Sequence, residues 1–127
     1  MKLSKLVEIA TALNALGAAK LPAKTAYRVA RAINATKSDI LAYEEARLKL
    51  AESLGTRTDD GQSFRFEDDK GQEFFKQHLA LLEEEVSVQF TQISLADLGD
   101  VQIEANHLAV LDGYVLIDSP AVPPAPL

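Results

Sequence analysis

The chain has 127 residues, 47% of them hydrophobic and 25% charged, with a formal net charge of −6 and no cysteine. That is one domain's worth of ordinary globular composition, with enough apolar residues for a modest core. It excludes disulfides, thiol nucleophiles and thiolate metal sites, and no apolar run approaches the roughly 20 residues needed to cross a bilayer. Charge is unevenly spread. Residues 1–55 hold nine Lys/Arg and five acids, whereas 56–127 hold four and fourteen. Such asymmetry steers a charged partner or holds the two halves together. The amphipathic N-terminus carries Glu8 and Asn14 and lacks the continuous apolar core of a secretory signal, so a cytoplasmic setting is expected.

Residues 3–16 read as a short helix with Leu3, Leu6, Val7, Ile9, Ala10, Leu13 and Leu16 on a broad apolar face and Ser4 as a candidate cap. Gly17-Ala18-Ala19 breaks the pattern. Residues 21–54 then read as one long helix, the element around which the rest is expected to organise. Ala26, Ile33, Ile40, Arg47 and Leu54 sit seven apart, and Val29, Thr36, Tyr43 and Leu50 form a second row, so the two rows make one seam. Pro22 suits the first turn and Gly55 the position just past the end.

Residues 55–71 punctuate the chain, with Asp60-Gly61 and Lys70-Gly71 as turn signals. Phe64 and Phe66 alternate with polar residues as in a short exposed strand. Residues 72–85 return to helix, with Phe75, Leu79 and Leu82, beside Phe74 and His78, expected to run antiparallel to the long helix and fill its seam. Glu83, Glu84 and Glu85 then oppose the macrodipole. Val86, Val88 and Phe90 alternate as a half-buried strand. Ser94 to Gly99 reads as a turn with Ser94 and Asp97 at capping-box spacing, and Val101 and Ile103 give a second strand expected to pair with the first. Residues 104–112 favour helix with Gly113 as its stop, although Tyr114-Val115-Leu116-Ile117 alone also fits a buried strand. Residues 119–127 hold four prolines and read as an extended tail.

Motifs for catalysis are missing. There is no Gly-x-Ser-x-Gly elbow, phosphate-binding loop or dinucleotide fingerprint. With Gly61 at position six of a calcium loop, Asp60 and Glu67 fall at positions five and twelve, but Thr56 and Thr58 stand where anchoring acids belong. His78 and His107 are the only histidines, and neither has a second ligand at helical spacing. No enzyme, cofactor or metal is expected. The binding candidates are charged. Lys20, Lys24, Arg28 and Arg31 form a basic stripe opposite the seam, suited to an acidic protein or, less well in so acidic a chain, to nucleic acid. Asp59, Asp60, Asp68 and Asp69, with Glu67 and Glu83 to Glu85, are acids that could imitate nucleic acid in a basic groove. For both sets a plain solvated face is the competing reading.

Three stretches resemble a small, poorly characterised family encoded by tailed bacteriophages: Leu-Pro-Ala-Lys-Thr-Ala-Tyr-Arg-Val-Ala-Arg (21–31), Tyr-Glu-Glu-Ala-Arg-Leu-Lys-Leu (43–50) and Leu-Glu-Glu-Glu-Val (82–86). Ile-Ser-Leu-Ala-Asp-Leu (93–98) and Leu-x-x-Leu (108–111) continue the resemblance, which leaves out the Pro-rich tail. It implies a phage origin, in host cytoplasm or virion, and no established activity or functional residues. The expected fold is α+β and mainly α: a long helical hairpin on 21–85 with a small β-unit and a short terminal helix, forming one domain over 1–118. The expected role is non-catalytic, through a protein partner or a second copy, as a virion or assembly component. The alternatives are an anti-defence inhibitor acting through its acidic half, then a DNA-binding module acting through the basic stripe.

Overall fold

The computed structural model describes residues 1–118. The expected proline-rich tail at 119–127 lies outside the described residues. The element order is α1 (Leu3–Gly17), α2 (Ala23–Leu54), β1 (Thr56–Arg57), β2 (Phe64–Arg65), α3 (Asp68–Leu82), β3 (Ile93–Ser94), a 3-10 turn (Leu95–Leu98), α4 (Ala105–Leu111) and β4 (Leu116–Ile117). This is the mainly helical α+β architecture that the periodicity predicts. Among the described residues no helix is long and apolar enough to cross a membrane.

The core is built on α1. Leu6, Ile9, Leu13 and Leu16, at three- and four-residue spacing, are wholly buried. Ile9, Leu13 and Leu16 cluster with Val29 and Ala32 of α2, with Ile93 and Leu98, and with Leu111, Val115 and Leu116 from the C-terminal elements. The organising element is therefore α1, wedged between the first half of α2 and α4, and not α2 alone. Thirty-two residues at 1.5 Å each make α2 about 48 Å long, more than α1 can cover. Its second half pairs with α3 instead, as an arm projecting from the core.

The buried stripe of α2 differs from the strict heptad at its start. Thr25, Val29, Ala32 and Thr36 are buried, whereas Ala26 is exposed. A straight helix of 3.6 residues per turn drifts away from a seven-residue repeat, which moves the stripe by one position. Both buried threonines are satisfied: Thr25 donates to the Asp97 carbonyl at 2.9 Å and Thr36 to the Ile33 carbonyl at 2.7 Å. Pro22 takes the cap position rather than the first turn. Gly55 does follow the last turn, and its backbone is extended. Glycine is needed there because a Cβ would lie 2.7 Å from the Phe66 ring and 3.0 Å from the Arg65 carbonyl oxygen.

Four further expectations are corrected. Lys70-Gly71 is not a turn: α3 begins at Asp68, with Asp68 and Asp69 in a first turn whose dipole favours acids. Ser4 does not cap α1, and Ser94 makes no side-chain cap for the 3-10 turn. The first exposed N–H of α1 is met instead by the Glu84 carbonyl, to which Leu3 donates at 2.7 Å. Residues 86–90 alternate in burial but belong to no strand and form no ladder with 101–103. Val86 donates to the Met1 carbonyl at 2.8 Å, and the ladder forms elsewhere, with β3 parallel to β4. The small antiparallel ribbon of β1 and β2 stands where Phe64 predicts a strand, with Thr56 opposite Arg65. Gly113, at φ +81°, separates α4 from β4, so residues 112–117 resolve as a tight turn and then strand.

Leu13→Ala is expected to lower unfolding stability by about 2–5 kcal/mol, while Phe75→Ala on the exposed arm costs under about 1 kcal/mol. Urea titration followed by circular dichroism distinguishes the two. Equal losses would contradict a core centred on α1.

Candidate functional site

The sequence-derived candidates fall in two places. Lys20, Lys24, Arg28 and Arg31 are exposed around the start of α2. Arg28 donates to the Gln92 carbonyl at 3.3 Å, and the Arg31 guanidinium lies 6.0 Å from the centre of the Tyr27 ring. Lys20 borders a shallow cleft of about 440 Å³ closed on the other side by Leu98, Asp100 and Val101. Asp59 and Asp60 lie in the ribbon turn, and Asp68 and Asp69 open α3. The four acids thus share the far end of the arm. About 40 Å of helix, from the 1.5 Å rise, separates them from the basic stripe. No single surface combines the two sets.

The acidic turn is a self-contained structure. The Asp60 carboxylate accepts from the Thr58 hydroxyl and from the Gln62 N–H, the latter at 3.0 Å. These bonds, the Thr58 one first, hold its pKa below the ordinary carboxylate value. Gly61, at φ +72°, closes the turn. The loop is a tight turn between β1 and β2 rather than a calcium loop entered directly from a helix. Among the described residues no group of three or more His, Asp or Glu is placed to hold a metal ion.

Between the tip and the core, α2 and α3 run antiparallel through an aromatic spine. Phe66 stacks on Phe74 with centroids 4.8 Å apart, Phe74 lies 5.7 Å from the His78 ring, and His78 stacks on Tyr43 at 5.8 Å. The Tyr43 hydroxyl and His78 Nε2 are hydrogen-bonded at 2.7 Å. Burial first, and the Arg47 charge second, hold the His78 pKa below 6.5. A neutral ring with its proton on Nδ1 accepts the Tyr43 O–H at Nε2. The arm's base is fastened by Lys2, whose ammonium lies 2.6 Å from the Glu83 carboxylate and so offsets the acids at the end of α3.

The arm also exposes apolar residues that charge does not single out. No residue of α3 is fully buried. Phe75 is 62% exposed and Leu79 47%, so they do not fill the seam of α2; Leu41 (57%) and Leu48 (44%) are exposed as well. Leu41 and Leu48 each follow a seam residue, Ile40 and Arg47, by one position. Phe75 and Leu79 likewise follow Phe74 and His78. In an antiparallel pair, residues rotated from the seam in the same sense lie on the same side, so these four form one apolar flank. The seven-residue spacing of Leu41 and Leu48 and the four-residue spacing of Phe75 and Leu79 carried that signal in the sequence. At its outer end the flank opens into a groove of about 400 Å³ between Leu48, Phe64, Phe66 and Phe74.

No protein-family model, curated protein or solved structure matches the chain.

Because the His78 pKa is depressed in the fold, the unfolded chain binds the extra proton first as pH falls below 6.5. The arm's full stability is present above that value and declines on acidification. The urea midpoint should fall between pH 7.5 and 5.5, and His78→Gln should make that dependence shallower. An unchanged pH dependence in the variant would remove His78 as its source.

Proposed function

We propose that this chain is a non-catalytic protein of a tailed bacteriophage that acts by protein–protein contact, as a virion or assembly component. The observation that carries the reading is the uncovered apolar flank of the arm. A chain that buries Leu6, Leu13 and Leu16 completely leaves Phe75 and Leu41 more than half exposed. Contiguous exposed apolar surface on an otherwise polar element marks a contact surface. The phage assignment is supported by the resemblance carried by residues 21–31, 43–50 and 82–86. Catalysis has no support of comparable kind, since the two histidines lie on separate elements and His78 is committed to Tyr43.

A second reading is favoured by one observation, the gathering of Asp59, Asp60, Asp68 and Asp69 at the end of a projecting arm. In that reading the tip enters a basic groove of a host defence protein and blocks it. Neutralising all four to Asn should abolish such inhibition while leaving the fold intact.

The tagged protein should be captured from infected cells together with a phage structural protein, and mass spectrometry should find it in purified virions at a fixed ratio to that partner. Capture should be lost in a Leu48→Glu/Phe75→Glu double variant, both positions being exposed enough to keep the fold. Absence from virions and from every phage-protein complex overturns the assembly reading. Enrichment of one host protein that depends on the four aspartates establishes the second.

A further inference from the structure

The arm's flank carries charges as well as apolar groups, and their register identifies what covers it. Tyr43 stands opposite His78, so Leu48 lies within a turn of the level of Phe75, and Leu41 within a turn of that of Leu79. Glu45 and Lys76 each sit two positions after a seam residue, Tyr43 and Phe74. That places them at the two outer corners of the flank at one height, across the full width of the helix pair from each other. Both are exposed, and neither lies within 4 Å of an opposite charge among the described residues.

We propose that a second copy of this chain covers the flank, related by a two-fold axis running along the arm, so that α2 of one protomer lies on α3 of its partner. The proposal rests on the reading of the flank as a contact surface and names its occupant. A two-fold along the arm exchanges left and right at constant height. Leu41 and Leu48 then meet the partner subunit's Leu79 and Phe75, and Glu45 meets the partner subunit's Lys76, twice over. A two-fold across the arm, centred on the strip, instead sets Glu45 against its own copy and Lys76 against its own copy, which like charges disfavour. At the tip, Glu52 approaches the partner subunit's Asp69, but Arg57 already neutralises Glu52 at 3.2 Å.

The size of the surface sets the strength. The 15 residues of α3 make about 22 Å of paired helix, which by about 20 Å of width covers about 450 Å² per copy and so about 900 Å² in total, below the range of stable specific interfaces. The dimer is therefore expected to be concentration-dependent rather than obligate.

Sedimentation equilibrium of the purified full chain over about 10–200 μM tests this. The wild type should show a monomer–dimer equilibrium, and Leu48→Glu/Phe75→Glu should be monomeric with an unchanged circular dichroism spectrum. Glu45→Lys and Lys76→Glu should each weaken the dimer by about tenfold, since the two-fold repeats every altered contact. The double reversal should restore it. Because Glu45 and Lys76 lie at opposite corners of one arm, rescue reports contact between protomers. A monomeric wild type at the highest concentration, a dimer indifferent to the flank variant, or failure of the double reversal to rescue overturns the proposal. A monomer that still loses its phage partner in the Leu48→Glu/Phe75→Glu variant overturns self-association and leaves the assembly reading standing. A dimer with the expected charge behaviour, from a protein absent from virions, does the reverse.

Discussion

The structure depends on the burial of one face of a fifteen-residue helix. Leu6, Ile9, Leu13 and Leu16 of α1 reach zero exposure, and every other part of the core is arranged to cover them. Apolar burial at about 25 cal/mol per Å² makes such a cluster the largest favourable contribution available to a chain of this size. The first half of α2 supplies one wall through Val29 and Ala32. The C-terminal elements supply the other through Leu111, Val115 and Leu116, and Ile93 and Leu98 complete the enclosure. The parallel pairing of β3 with β4 is short, yet it locks that wall, since Ile93 donates to the Val115 carbonyl at 2.8 Å.

Everything distinctive about the molecule follows from α2 being longer than the core it joins. Its second half has only α3 and the small ribbon to pack on. Two helices cannot enclose each other, so the arm is held by a single aromatic file from Phe66 through Phe74 and His78 to Tyr43. The arm is fastened at its base rather than filled along its length. The Leu3 N–H donates to the Glu84 carbonyl, the Val86 N–H donates to the Met1 carbonyl, and Lys2 meets Glu83. Three glutamates that disfavour a helix end in isolation become the means of attaching that end to α1.

The same geometry separates the two charged surfaces. The basic residues of α2 lie beside the core and the aspartates lie at the tip, so these two surfaces do not meet; opposed charges join the two halves at the base of the arm, where Lys2 meets Glu83 and the N-terminal ammonium meets Glu85. What lies between them is the apolar flank. Its exposure reflects a shortage of partners within the chain and not a lack of apolar residues at the right spacing.

Local pattern was enough to give α1 and α2 to within two residues, the ribbon around Phe64, and the stop at Gly113, because each is a matter of periodicity or of one backbone preference. Residues 86–90 show the boundary of that reasoning. Their alternation was legible and is real, but alternation reports which side chains turn inward and not which backbone lies alongside. The ladder therefore went to Ile93 and Leu116, 23 residues apart in the chain. The same limit applies at Phe75 and Leu79. Their amphipathic spacing was evident, but whether an apolar face is covered depends on how many other elements reach it. Only the tertiary structure decides that, because burial is a property of the space between elements and amphipathicity a property of one element alone.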